Sequence, residues 1–195
     1  MPYQTFNDSI SGDSDSNKKL AAMKLSATLI TGKKCLDIGC NEGFFTKQFI
    51  DHGAVSAHGI DNMANVIESA KVRHINVQGL TFERADIHTW NTSDKYDIIL
   101  ISSALHYMNA THIISKLRSL LTEKGVFIYE GGIIMDRADE EWVHVKRPVG
   151  DIVIHPTLPA FISLCKTYFT RVEFIGASFN QPGDNVSRYV YYCYI

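Results

Sequence analysis

Apolar positions along most of the chain alternate between the spacing of strands and the spacing of helices. Short apolar runs predict strands at residues 34–38, 56–60, 80–84, 96–102 and 125–130. Helical spacing predicts helices at residues 18–30, 44–51, 63–72 and 111–121. Strands that alternate with helices predict a parallel sheet with helices on both faces.

The last third of the chain shows a different pattern. Residues 131–156 have no clear period, and Pro148, Gly150 and Pro156 interrupt them. A helix is predicted at 157–168, with Thr157 as its N-cap, and strands at 171–176 and 187–195. The connection between these strands contains no helical pattern, which predicts antiparallel pairing. The fold class is therefore α/β: a doubly wound, mostly parallel seven-stranded sheet with an antiparallel last strand.

Residues 18–195 are predicted to form a single domain. Two segments differ from the regular pattern, one before this domain and one inside it. Residues 1–17 are rich in Ser, Asp and Asn, which predicts a flexible leader, and the alternative is a lid that orders over a ligand. Residues 131–156 are predicted to be an insertion that covers a substrate, and the alternative is a plain solvated hairpin.

Composition narrows the classes of function. The chain has 195 residues and a formal charge of -2, so no global basic surface favours nucleic acid. No apolar run reaches the roughly 18 residues that span a bilayer, and the polar N-terminus is no secretory signal. A cytoplasmic protein is the default expectation. The four cysteines lack metal-site spacing, which predicts free thiols and no metal.

The strongest local signal is a glycine turn between the first strand and the next helix, at residues 35–44. Gly39 and Gly43 allow positive φ angles and a close approach of the backbone to a ligand. Parallel sheets bind ligands at this edge, the carboxyl ends of their strands. A dinucleotide-binding loop would have glycines where Asn41 and Phe44 stand, which argues against a dehydrogenase.

This turn resembles motif I of class I S-adenosylmethionine-dependent methyltransferases, written D/E-x-G-x-G-x-G, with Asn41 at the middle glycine. The resemblance implies a Rossmann-like fold, S-adenosyl-L-methionine as cofactor and S-adenosyl-L-homocysteine as product. It places the loop against the methionine end and the ribose. The cofactor contacts predicted here are Asp37, Gly39, Cys40, Asn41, Gly43 and Phe44.

Acidic residues follow the next two strands. Asp61, with Asn62 beside it, closes the second strand, where a carboxylate can accept hydrogen bonds from both ribose hydroxyls. Asp86 follows the third strand, where the resembling family commonly places an Asp facing the adenine amino group, and Ile87 would pack near the base. The alternative for Asp86 is a surface turn residue.

The fourth strand and the segment after it, residues 96–108, resemble motif IV of the small-molecule branch of the family. The resemblance places Ser102 and Ser103 beside the sulfonium and His106 near the acceptor, although His106 in the alternative only caps the loop. No N/D-P-P-Y/F sequence occurs here, and no Asp ends the strand. Methylation of adenine or glutamine amino groups and metal-dependent catechol chemistry are therefore disfavoured.

Taken together, these residues predict O-methylation of a small polar or sugar-like acceptor by a monomer or homodimer, with nucleic acid and membrane partners disfavoured. The candidate catalytic bases are His106, His144 and His155, because histidine titrates near neutral pH. The alternatives are a cofactor-binding module without catalysis, an RNA methyltransferase and a different nucleotide enzyme such as a dehydrogenase.

Overall fold

The computed structural model describes residues 3–6, 12–147, 150–180 and 186–195. The strands, in chain order, are β1 Lys34–Ile38, β2 Ser56–Asp61, β3 Leu80–Arg84, β4 Tyr96–Ser102, β5 Leu121–Gly132, β6 Trp142–Lys146, β7 Ile152–Pro156, β8 Arg171–Ala177 and β9 Arg188–Tyr194. Seven of these strands form one sheet in the order β3-β2-β1-β4-β5-β9-β8, and β6 and β7 form a separate hairpin.

The strands of the large sheet run as the sequence predicts. β1 to β5 run parallel to one another, while β9 pairs antiparallel with both β5 and β8. The last strand is inserted between β5 and β8, so β8 forms the edge of the sheet. The predicted doubly wound, mostly parallel sheet with an antiparallel last strand is therefore confirmed.

The helices agree with the sequence pattern except near the N-terminus. They are α1 Ser16–Met23, α2 Ala27–Ile30, α3 Phe44–Asp51, α4 Ala64–Arg73, α5 Ala110–Leu120 and α6 Leu158–Tyr168, and a 3-10 turn covers Leu105–Tyr107. A continuous helix over 18–30 was a wrong prediction. Lys24 adopts a left-handed conformation with φ of 53°, which ends α1, and the Ser26 side chain caps α2.

The hydrophobic core has two layers, one on each face of the large sheet. Neighbouring residues of one strand face opposite layers, so Leu36 packs in one layer and Cys35 in the other. The same alternation separates Ile99 from Ile98 on β4. The central strands are thus buried on both faces, as their continuous apolar sequence predicts.

The described part of the leader is packed against the domain. Gln4 and Ser14 are bridged through their backbones, and both residues are buried. Helix α1 already begins at Ser16, with the Asp15 side chain accepting a hydrogen bond from the Lys18 amide. These contacts correct the interpretation of residues 3–6 and 12–17 as a flexible tail. The rest of the leader, residues 1, 2 and 7–11, lies outside the described residues.

Residues 131–156 contain the antiparallel hairpin of β6 and β7, in which Trp142 pairs with Pro156 and Lys146 with Ile152. The hairpin was the alternative interpretation of this segment. Its strand β7 packs against the 3-10 turn that follows β4. Whether the segment covers a substrate stays a prediction, and Pro148 lies outside the described residues.

All four cysteines are buried free thiols, as predicted. Among the described residues, no helix has the length and apolar character needed to cross a membrane. The same part of the chain holds no group of three or more His, Cys, Asp or Glu side chains that could bind a metal ion.

Candidate functional site

A cavity of about 720 Å³ lies at the carboxyl edge of the parallel strands. It is open at one side and is lined by the loops after β1, β2, β3 and β4, by the leader and by the hairpin. Eight of the twelve predicted cofactor residues line it: Gly39, Asn41, Asp61, Asn62, Asp86, Ile87, Ser102 and Ser103.

The loop after β1 has the backbone of a glycine-rich turn even where glycine is replaced. Asn41 stands at the middle glycine position of the motif and has a φ of 51°. Asparagine tolerates this left-handed conformation better than most residues with a side chain. The substitution therefore preserves the turn.

The two flanking glycines are required by their surroundings in the protein. Gly39 has a φ of 72°, and an added Cβ would lie 2.7 Å from the Ala104 side chain. Gly43 has a φ of 84°, and its Cβ would lie 2.5 Å from the Phe82 ring. Any larger residue would strain the turn and displace these neighbours.

The Asp61 carboxylate joins two loops at the edge of the cavity. Its Oδ2 accepts a hydrogen bond of 3.0 Å from the Asn41 amide, and its Oδ1 accepts one of 3.0 Å from the Met63 amide. A carboxylate has about four lone-pair sites, so two remain for a ligand. The side chain therefore has capacity for ribose hydroxyls while it holds the motif loop in place.

Asp86 combines both interpretations that the sequence allows. Its Oδ1 accepts a hydrogen bond of 2.9 Å from the His88 amide, as in a turn, and the side chain also lines the cavity. The neighbouring Ile87 is buried and lines the same wall. The Lys116 ammonium donates to the Ile87 carbonyl at 2.8 Å, which anchors this loop to α5.

Four predicted cofactor residues do not line the cavity: Asp37, Cys40, Gly43 and Phe44. Cys40 and Phe44 are buried in the core, and Gly43 is the N-cap of α3. The side chains of Cys40 and Phe44 are therefore enclosed by the protein, and Gly43 has no side chain. The other eight predicted residues line the cavity.

Asp37 is directed toward α3, where its Oδ2 accepts a hydrogen bond of 2.7 Å from the Thr46 hydroxyl. Burial raises the pKa of Asp37 to about 7, and the charge of Asp61 adds to the shift, while the Thr46 hydrogen bonds oppose it. The Asp37 carboxyl therefore contacts α3 rather than the cavity, and its effect on the motif loop is through the packing of that helix.

The leader supplies a cap for α3 that the sequence analysis missed. The Gln4 side chain accepts a hydrogen bond of 3.1 Å from the Phe44 amide and donates one of 3.3 Å to the Cys40 carbonyl. Gly43 has no side chain with which to cap the helix. Gln4 therefore links the two ends of the motif turn through hydrogen bonds to Cys40 and Phe44. Together with Tyr3 and Ser14, Gln4 also lines the cavity.

Lys19 is a second residue that the sequence analysis missed. It lies on α1, is only 1% exposed and lines the cavity. Its Nζ donates a hydrogen bond of 2.8 Å to the Ser103 hydroxyl. Among the described residues the ammonium has no carboxylate partner within 4 Å. A buried lysine normally has an ionic partner, so this one is suited to an anionic group of a ligand.

His106 lies on the 3-10 turn, is buried and lines the cavity. Its ring centroid is 4.1 Å from that of Tyr107 and 5.3 Å from that of His155. His155 is buried behind it and does not line the cavity. Of the three candidate bases, His106 therefore has direct access to a ligand, and His155 acts at most through it.

The structure does not bring His144 to the cavity. In the hairpin Val143 pairs with His155 and His144 pairs with Ile154, and paired residues share a face. His144 and His155 therefore lie on opposite faces, and His144 is exposed to solvent. The prediction of His144 as a catalytic residue is corrected for this reason.

Arg147, directly after β6, lines the cavity, and it is the residue that does so among the described residues of segment 131–156. Its guanidinium donates a hydrogen bond of 2.5 Å to the Tyr107 hydroxyl and forms an ion pair with Asp151. The hydrogen bond to Tyr107 ties the hairpin to the 3-10 turn at the wall of the cavity. No spacing in the sequence predicts it, because it joins residues 40 positions apart.

Comparisons with known proteins agree with this geometry. A family model described as a methyltransferase domain matches residues 30–157. A ubiquinone biosynthesis O-methyltransferase of Glaesserella parasuis is 32% identical over 116 residues, which cover 55% of this chain and 49% of that protein. The chain thus spans about half the length of the curated relatives it matches.

Solved structures share the fold. An S-adenosylmethionine-dependent methyltransferase of Mesorhizobium loti has a TM-score of 0.68 at 19% identity, covering 90% of this chain and 95% of that one. The N-methyltransferase NodS of Bradyrhizobium japonicum, in complex with S-adenosyl-L-homocysteine, has a TM-score of 0.68 at 16% identity, covering 96% and 92%. The family model covers more than half of the chain, and the motif loop lies within it. The chain belongs to the methyltransferase domain family.

Proposed function

We propose that this chain transfers a methyl group from S-adenosyl-L-methionine to a hydroxyl oxygen of a small polar or sugar-like acceptor. One observation carries the proposal: a single cavity is lined both by the strand-end residues Gly39, Asp61 and Asp86 and by His106. We call the first set of residues the donor end. The acceptor end is formed by His106, Tyr107 and Arg147.

The donor end fits the cofactor group by group. The free lone pairs of Asp61 suit the two ribose hydroxyls. The carboxylate of Asp86 suits the adenine amino group, and Ile87 gives the base an apolar wall. The buried ammonium of Lys19 suits the carboxylate of the methionine moiety, because no carboxylate of the described residues lies within 4 Å of it and the ligand would supply one.

The N-terminus of α3 supports this cofactor over a dinucleotide. A dinucleotide-binding site uses the amides at this helix start to bind a pyrophosphate. Here the Phe44 amide is hydrogen-bonded to the Gln4 side chain. A pyrophosphate would have to displace the leader, whereas a ligand held by Asp61 and Lys19 would not.

The cofactor supplies a methyl group that its sulfonium already activates for displacement. The protein must then align the acceptor with the methyl group, and such alignment can lower the activation free energy by on the order of 7–11 kcal/mol. His106, which lines the cavity, is the proposed acceptor of the proton that the acceptor hydroxyl loses, and a general base of this kind raises a rate about 10²–10⁴-fold. Tyr107 and Arg147 flank the mouth of the cavity and would orient the rest of the acceptor.

The choice of an oxygen acceptor rests on the histidine at the acceptor end and on the curated relatives, which are named ubiquinone biosynthesis O-methyltransferases. NodS, which shares the fold, is named an N-methyltransferase, so the fold alone does not select the atom. Tyr3, His106 and Tyr107 provide flat faces and hydrogen-bonding groups, which favour a small ring with polar substituents.

Two measurements test the proposal. Isothermal titration should detect binding of S-adenosyl-L-homocysteine and none of NAD. Purified protein with labelled S-adenosyl-L-methionine should then transfer label to pools of small phenols or sugars, in a product that resists the mild conditions that cleave methyl esters. Label in an amine product or in RNA would contradict the oxygen acceptor. Cofactor binding with no transfer to any pool would support a binding module instead.

A further inference from the structure

The Ser103 hydroxyl lies at the centre of a buried cluster of charged side chains. Its oxygen is 2.8 Å from Lys19 Nζ, 2.9 Å from Arg188 Nη1 and 2.8 Å from Glu130 Oε2. Each of the three charged residues is at most 3% exposed. They come from α1, β9 and β5, so three distant parts of the chain meet at one serine.

These three contacts use the full hydrogen-bonding capacity of the hydroxyl. A serine hydroxyl has one donor and two acceptor lone pairs. Lys19 and Arg188 can only donate, so they occupy the two lone pairs, and the hydroxyl donates its proton to Glu130. Although Ser103 borders the cavity, its hydroxyl has no hydrogen bond left for a ligand.

The backbone of Ser103 is held in a conformation that serine seldom adopts. Its φ is 56°, in the left-handed region, and its amide donates a hydrogen bond of 2.8 Å to the Glu130 carbonyl. Glu130 Oε2 also accepts a hydrogen bond of 2.9 Å from the Ser102 hydroxyl. Such outliers persist only where the surroundings over-determine them. Here the surroundings direct the hydroxyl toward Lys19.

Lys19 benefits from this arrangement. The long side chain of Lys19 has several rotamers, and without a fixed hydrogen-bond acceptor the ammonium would occupy several positions. Ser103 accepts one of the three N–H donors of Lys19, and among the described residues no other hydrogen bond to this ammonium occurs. Two donors are therefore held at a defined position in the wall of the cavity.

We propose that Ser103 is a positioning residue. Its hydroxyl, held by Glu130 and Arg188, fixes the ammonium of Lys19 for the carboxylate of the cofactor's methionine moiety and does not itself contact the cofactor. This inference rests on the proposed function. It changes the expected role of Ser103 from a direct cofactor contact to one that acts through Lys19.

The test compares two ligands that differ at the methionine end. S-adenosyl-L-homocysteine carries the carboxylate, and 5′-methylthioadenosine lacks the whole amino-acid group. Ser103→Gly removes the hydroxyl and relieves the left-handed backbone, which offsets part of the cost of leaving three buried charged groups without this partner, and thermal unfolding checks that the variant is folded. We expect its affinity for S-adenosyl-L-homocysteine to fall about tenfold, which corresponds to one charge-assisted hydrogen bond, with unchanged affinity for 5′-methylthioadenosine.

A double-mutant cycle separates positioning from direct contact. Lys19→Met should also weaken binding of S-adenosyl-L-homocysteine and leave the affinity for 5′-methylthioadenosine unchanged. The affinity of the Ser103→Gly/Lys19→Met double variant for S-adenosyl-L-homocysteine should be no lower than that of Lys19→Met alone. Lys18→Met, which changes the exposed neighbour on the same helix, is the matched control and should bind both ligands normally. Should Lys19→Met fail to fold, Lys19→Gln, which removes the charge but keeps a polar group, completes the cycle with Ser103→Gly.

The outcomes are distinct. Equal weakening of both ligands by Ser103→Gly would mean a general structural role and would overturn the inference. Losses that add in the double variant would mean that Ser103 contacts the ligand independently, which overturns it as well. Wild-type protein that binds neither ligand would refute the proposed function itself, a result that no variant can mimic.

Discussion

The donor end and the acceptor end of the cavity are built in different ways. At the donor end, backbone groups at successive strand ends set the geometry, as in the hydrogen bond from the Asn41 amide to Asp61. At the acceptor end, side chains from the 3-10 turn and the hairpin meet, as in the contact between Tyr107 and Arg147. The geometry of the donor end therefore depends on the sheet, and the geometry of the acceptor end depends on how separate segments pack against the sheet.

This difference has a consequence for how changes affect each end. The donor loops are supported by the parallel register of β1, β2 and β4, and the Asp61 carboxylate also holds the motif loop through the Asn41 amide. The acceptor end depends on a few side-chain contacts near solvent. We therefore expect donor substitutions to alter cofactor affinity, and acceptor substitutions to alter turnover.

The largest expected effect separates the two ends most sharply. His106→Gln should lower turnover by about 10²–10⁴, because it removes the proposed base, and should leave affinity for S-adenosyl-L-homocysteine within about twofold. Labelled-methyl transfer and isothermal titration measure the two quantities. His144→Gln is the matched control, since His144 is exposed outside the cavity. Equal turnover of the two variants would show that His106 is not the catalytic base.

The next effect belongs to the donor end. Asp61→Ala removes the proposed acceptor of two ribose hydrogen bonds, each worth roughly 1.5–3 kcal/mol when the acceptor is charged. Cofactor affinity should fall at least about tenfold, as measured by titration. Asp61→Asn keeps the shape and one acceptor, so its loss should be smaller. A folded Asp61→Ala protein with normal affinity would place the ribose elsewhere.

A smaller effect is expected where the leader meets the donor end. Gln4→Ala removes the hydrogen bonds to Phe44 and Cys40 across the motif turn, each worth about 0.5–1.5 kcal/mol. Affinity for S-adenosyl-L-homocysteine should fall by roughly three- to tenfold. Gln48→Ala, on α3 but outside the cavity, should have no effect. Unchanged affinity in Gln4→Ala would show that the leader does not support the site.

The smallest effect concerns stability behind the donor end. The pKa of Asp37 is raised to about 7 in the folded protein, above its ordinary value of 3.8. As pH rises, Asp37 therefore loses its proton at a lower pH in the unfolded chain than in the folded protein. The protonated carboxyl contributes to the free energy of unfolding at low pH, and this contribution is lost as pH rises through about 7.

Thermal unfolding from pH 5 to pH 8.5 measures this contribution. Asp37→Asn stays neutral and should flatten the fall in stability, with a difference of about 2–4 °C per kcal/mol in the unfolding midpoint. The exposed Asp51→Asn variant, as control, should keep the wild-type pH dependence. Parallel curves for wild type and Asp37→Asn would show that Asp37 does not titrate in this range.

The donor end was largely predictable because its residues follow strands that the apolar pattern identifies. Gly39 directly follows β1, Asp61 ends β2 and Asp86 lies two residues after β3, and parallel strands end at one edge of a sheet. The same reasoning failed for Asp37, Cys40 and Phe44. Nearness to the motif in sequence does not state which face of a strand or helix a side chain occupies.

The sequence by itself determined the layered α/β fold, the antiparallel last strand and the family, because these follow from local periodicity and a contiguous motif. Tertiary structure alone decided that Gln4 caps α3, that Ser103 joins Lys19 to Glu130 and Arg188, and that His106 rather than His144 borders the cavity. These contacts join residues up to 85 positions apart. A polar residue in a leader or on a short strand has no periodicity that reveals its partner, since that partner is selected only when the segments pack together.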